Sequence, residues 1–82
     1  MKSGGLIKHS FSLTGRRTSV ALEQEFWAAL RHIAASRHQT LTQLIAAADT
    51  QRIPGQPLAS TLRVLALREF SRHRYTIPEA DG

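Results

Sequence analysis

Within a few residues this chain changes its apolar period, and that change limits what it can fold into. In Arg16-Arg17-Thr18-Ser19-Val20-Ala21-Leu22, Thr18, Val20 and Leu22 fall on one side of an extended backbone. Arg17, Ser19 and Ala21 fall on the other. This is the alternation of a half-buried strand. From Phe26 onward the spacing is helical: Phe26, Leu30, Ile33 and Ala34 recur at i, i+4, i+7 and i+8, and Trp27 widens their stripe. A strand needs partners for its backbone N–H and C=O groups. The easiest partner is the same strand of a second copy, which gives an antiparallel ribbon between chains.

Residues 7–13 also alternate, with Ile7, His9, Phe11 and Leu13 on one side, but the parity slips at Thr14-Gly15. Glycine tolerates positive φ, so a turn or bulge there accounts for the slip. Residues 1–15 are thus either a flexible arm lying across a dimer or a short extra strand. Glu23 and Glu25 favour a helix start by opposing the macrodipole, giving a first helix over about 23–36. Thr40-Leu41-Thr42-Gln43 reads as a capping box opening a second helix, with Leu41, Leu44, Ile45 and Ala48 inward. Arg52-Ile53-Pro54-Gly55-Gln56-Pro57 is a breaker-rich loop. A third helix follows over 58–74, with Leu58, Leu62, Leu65, Ala66 and Phe70 inward, and a tail over 75–82.

Eighty-two residues make one domain, near the lower limit for a self-sufficient core, and no cysteine is present to staple it. Dimerisation is the expected source of extra buried area. The formal charge of +5 is uneven: residues 1–22 hold Lys2, Lys8, Arg16 and Arg17 with no acid. Residues 23–51 set Arg31 and Arg37 against three acids, for −1. Positive charge gathered on the ribbon suits a polyanion, and a two-stranded basic ribbon fits the major groove of DNA.

A basic strand, a short helix, a tight turn and a capped second helix follow one another over residues 16–51. The segments Arg17-Thr18-Ser19-Val20-Ala21-Leu22, Phe26, Leu30, Ile33-Ala34 and Thr40-Leu41-Thr42 resemble the ribbon-helix-helix family. The third helix and the Arg-Thr-Ser-Val-Ala-Leu-Glu wording are similar to a small bacterial subfamily with an added C-terminal helix. The resemblance implies a mainly α fold with one short β-strand, as an intertwined homodimer with an intermolecular two-stranded ribbon. It places Val20, Leu22, Phe26, Trp27, Leu30, Ile33, Leu44 and Ile45 in a shared dimer core. Arg17, Ser19 and Ala21 then face base edges, where arginine can hold guanine O6 and N7. Lys8, Arg16 and the N-terminus of the second helix (Thr40, Leu41, Thr42) are assigned to phosphate.

Two positions depart from the family pattern. The turn between the helices reads Ser36-Arg37-His38-Gln39 where glycine is common, which puts left-handed geometry on His38. Ala21 offers only a methyl at a readout position, so readout rests on Arg17 and Ser19.

Catalysis and metal binding find no support. Neither a phosphate loop, a nucleophile elbow nor a paired-carboxylate arrangement is present, and His9, His32, His38 and His73 lack compact ligand spacing. No apolar run approaches the roughly 18 residues of a membrane span, and the N-terminus lacks a signal pattern, so a cytoplasmic location is expected. The expected role is a cofactor-free homodimeric transcriptional regulator, a repressor binding double-stranded DNA. The alternative is a protein-interaction module or antitoxin component on the same dimeric fold.

Overall fold

Two consecutive residues with positive φ, Thr14 (45°) and Gly15 (79°), turn the chain back on itself. They join β1 (Ile7–Leu13) to β2 (Arg16–Leu22) in an antiparallel hairpin, with Leu13 opposite Arg16 and Ile7 opposite Leu22. Positive φ at both central positions marks a type I′ turn, whose twist matches that of the strands it joins. This computed structural model describes residues 5–74. The tail expected at 75–82 and residues 1–4 of the N-terminal segment lie outside the described residues.

The hairpin fills one edge of β2 from within the chain. Of the two forms open to residues 1–15, an arm or a short extra strand, the described part takes the strand, so the sheet has two strands rather than the one of the expected fold class. Closing a two-residue loop costs little entropy, so this edge is filled locally. The parity slip at Thr14-Gly15 follows from the same turn. Odd residues of β1 pair with even residues of β2, so Phe11, Leu13, Val20 and Leu22 share one face and are buried there.

Beneath that face lie three helices, α1 (Gln24–Ser36), α2 (Leu41–Gln51) and α3 (Leu58–Arg74). Each contacts the other two, while β1 rests on α2 and β2 on α3. Trp27 is the central pillar. Its ring stands edge-on to His9 at 4.5 Å and tilted against Phe11, and its Nε1–H donates to the Ile7 carbonyl at 2.8 Å. One side chain thus ties the start of β1 to the core and satisfies its own polar atom.

Helix boundaries follow local chemistry. At the end of α1 the Gln39 N–H donates to the Ala34 carbonyl and the His38 N–H to the Ala35 carbonyl, the paired bonds of a Schellman motif. His38 takes the left-handed position this requires, with φ 58°. Thr40 caps α2 with a complete capping box: its Oγ1 accepts from the Gln43 backbone N–H at 3.0 Å, and the Gln43 Oε1 accepts from the Thr40 backbone N–H at 2.8 Å.

The residues assigned to a shared dimer core, Val20, Leu22, Trp27, Leu30, Ile33, Leu44 and Ile45, are buried within the single chain, and Phe26 is half-buried. α3 adds Leu58, Leu62 and Ala66 to the same core. Arg63 of α3 lies over the Phe26 ring and pairs with Glu23 at 2.9 Å, and Arg37 pairs with Glu69 at 2.8 Å, pinning both ends of α1 to α3. Phe70 departs from its inward assignment and is 52% exposed. A row taken every fourth residue rotates about 40° per step, so a stripe begun at Leu58 has turned away from the core by residue 70.

Candidate functional site

The hairpin's outward face follows from the same register that buries its other face. Lys8 lies opposite Ala21, Ser10 opposite Ser19 and Ser12 opposite Arg17. Cross-strand neighbours on one face stand about 5 Å apart. The Ser10 and Ser19 hydroxyls meet at 3.1 Å, and the Arg17 Nη1 reaches the Ser12 Oγ at 3.5 Å. The result is a narrow platform of small hydroxyl side chains carrying a cation at each end, Arg17 near the turn and Lys8 near the open end. Four residues of strand separate those ends, about 14 Å. No acidic residue occurs between residues 5 and 22. Such a surface can donate hydrogen bonds, accept them through hydroxyls, and attract anions along its length.

Adjacent arginines have separate duties. Arg17 lies on the outward platform. Arg16 lies on the inner face beside the turn, and its Nη2 pairs with Asp49 Oδ2 of α2 at 2.6 Å while its Nη1 donates to Thr18 Oγ1 at 3.0 Å. The Asp49 side chain is only 9% exposed and also holds Arg52, whose Nη2 donates to Oδ1 at 2.9 Å. Arg16, assigned from sequence to phosphate, is therefore engaged in fastening the hairpin to α2. The backbone amides of Leu41 and Thr42 lie in the first turn of α2, where helix geometry leaves N–H groups without intrahelical partners. Thr40, Leu41 and Thr42 belong to the helical layer, on the other side of the hairpin from Arg17 and Ser19.

Sequence reading grouped Arg17, Ser19 and Ala21, and the fold adds Lys8, Ser10 and Ser12 to their face. The signal for the two serines was the parity slip itself. Read as a two-residue turn, Thr14-Gly15 sets Ser10 across from Ser19. Asp49, which holds Arg16, had no sequence signal, because its partner is thirty-odd residues away in the chain.

Among the described residues, no cluster of three His, Asp or Glu side chains is placed to hold a metal ion. No described helix is long and apolar enough to cross a membrane. Glu23 is held below its ordinary 4.5 by a hydrogen bond with its own backbone and then by the Arg63 guanidinium.

Comparison with known proteins places the hairpin and helices in context. The sequence model of a family described as "Ribbon-helix-helix domain" matches residues 6–70. Among solved structures, an uncharacterized protein from Bordetella pertussis Tohama I is similar, with a TM-score of 0.69 and 33% sequence identity. That match covers 92% of this chain and 64% of the other, so the chain spans less than two thirds of that protein's length. No curated protein matches the chain.

Proposed function

This chain belongs to the ribbon-helix-helix domain family, and from that premise we propose that it is a sequence-specific DNA-binding transcriptional regulator, a bacterial repressor acting in the cytoplasm as a homodimer. DNA binding is the usual role of the family. The observation that carries the reading is the acid-free platform of Arg17, Ser19 and Lys8, aimed away from the core by the hairpin register. Arg17 is assigned to guanine and Ser19 to a neighbouring base edge, with Ala21 limited to packing against a thymine methyl.

In the proposed dimer, β2 pairs antiparallel with its copy. The type I′ turn bonds Leu13 to Arg16, and alternation then sends the N–H and C=O groups of Arg17, Ser19 and Ala21 off the open edge of β2. A two-fold axis at Ser19 satisfies all three. The four strands span about 14 Å between outer axes, against a major groove about 12 Å wide. The two β2 strands therefore enter the groove, while β1 lies along its walls. That placement gives Lys8 a phosphate contact, and the Leu41 and Thr42 amides are the second candidate for one. Occupancy of a promoter-proximal site then blocks polymerase sterically, with no cofactor.

The test is fluorescence anisotropy on the duplex upstream of the protein's own gene beside a random duplex, from about 50 to 200 mM salt. Selective, salt-steep binding is expected. Equal and feeble binding to both duplexes would overturn the reading. It would favour the second one, a protein-interaction module or antitoxin component, which draws on the exposed apolar residues of α3, notably Leu67 at 65%.

A further inference from the structure

Residues of α2, α3 and the loop between them line a groove of about 340 Å³. Leu44 and Ala48 form its floor, and Leu65, Val64 and Ala47 its walls. Val64 is 42% exposed, so this apolar surface is open to solvent. The volume falls within the range of about 300–1,000 Å³ typical of small-molecule sites, at its lower end. Neither the fold nor the proposed DNA contact uses it.

The polar lining is cationic. Arg37, Arg52 and Arg68 all border the groove. Arg37 is neutralised by Glu69. Arg52 is fixed on both sides, with Nε and Nη2 on Asp49 Oδ1 and Nη1 on the Gln56 carbonyl at 2.9 Å. A guanidinium has five N–H donors, and these three bonds leave two for a ligand while immobilising the group. Arg68 has no ion-pair partner among the described residues. An apolar trough with one preorganised guanidinium and one uncompensated guanidinium suits a molecule with an apolar body and a single carboxylate-like head.

We propose that the α2–α3 groove is a binding site for a small anionic amphiphile, its head group held by Arg52 and Arg68 and its apolar body laid over Leu44, Ala48, Val64 and Leu65. A second copy of the chain is a poorer occupant, because it would bring more arginine to a groove already in positive excess. The site stands independently of the DNA reading, and its test needs no DNA.

Octanoate is the probe, with octylammonium as its opposite-charge counterpart, both titrated into the full ¹⁵N-labelled chain and followed by amide chemical shifts. Saturable shifts confined to α2, α3 and their loop are expected with octanoate and not with octylammonium. Arg68→Gln should weaken octanoate roughly tenfold, the loss of one charge-assisted contact. Ala47→Phe, at an exposed position, should fill the trough and abolish binding while leaving the melting temperature unchanged. Absence of saturable shifts, an equal response to octylammonium, or undiminished binding in either variant would overturn the proposal. So would groove shifts that depend on protein concentration without octanoate, which would make the groove an interface between copies.

Discussion

Replacing Arg16 and Arg17 separately by alanine should divide stability from recognition between two neighbours in sequence. Arg17 has one hydrogen bond within the described chain, a 3.5 Å approach to the Ser12 hydroxyl, and Arg17→Ala should change stability by no more than about 0.5 kcal/mol. On DNA it forfeits a guanine contact worth about 1–3 kcal/mol, twice per dimer, for a total of about 2–6 kcal/mol. Selective affinity should therefore fall at least roughly thirtyfold, since about 1.4 kcal/mol is tenfold. Arg16→Ala removes a 2.6 Å ion pair to a carboxylate that is 9% exposed, together with the bond to Thr18. Arg52 still accompanies Asp49, so the cost should lie between that of an exposed pair and that of an orphaned buried charge, about 1–2 kcal/mol. For a chain this small, that lowers the melting temperature by about 5–10 °C. Thermal unfolding by circular dichroism gives the first quantity and anisotropy well below both melting points gives the second. The reasoning is refuted if Arg16→Ala loses selective binding without losing stability, or if both variants behave alike.

The other expectations concern the turns, the platform and acid. Thr14→Asn puts a residue that tolerates left-handed geometry at φ 45° in place of a β-branched one and should stabilise the chain by about 0.5–1 kcal/mol, measured by urea unfolding. His38→Gly should gain roughly 1 kcal/mol at the Schellman position by the same assay, and an unchanged midpoint would show that His38 carries no strain. Lys8→Ala should weaken specific and random duplexes alike and lower the salt slope by about 0.9 per protomer; a change confined to one sequence would make Lys8 a base reader. Glu23 is held below its ordinary 4.5, so its contribution is complete above that pH and disappears as pH falls through the lower folded value. Glu23→Gln should accordingly flatten the acid limb of a stability–pH curve, and an unaltered limb would remove the Arg63 pair from the account.

The parts of the fold carried by local chemistry were legible in the chain. The alternation from Arg16 to Leu22, the Thr40–Gln43 cap and the strained His38 each depend on residues within a few positions of one another. The partner of β2 was less legible, because a strand pattern states that an edge must be filled and not by whom. Thr14 concealed the answer: a β-branched residue at φ 45° is an unusual half of a type I′ turn. The tie of Arg16 to Asp49 was illegible for a different reason. Two adjacent arginines on a strand point to opposite faces, and only the distant Asp49 distinguishes the fastening one from the free one. Phe70 shows the limit of a fixed four-residue step over a helix of this length.

A ribbon made within one chain has a consequence for dosage. In an intertwined dimer, folding and association are one event, and dilution unfolds the protein. The apolar residues of this chain are buried within a single copy, so we expect a newly made copy to hold its reading surface before it pairs. Pairing at the open edge of β2 then becomes a separate equilibrium, set by how many copies the cell contains. Occupancy of a paired site rises with the square of that number while it is small. A repressor built this way would leave its target open at low copy number and close it over a narrow range, without a cofactor to set the threshold.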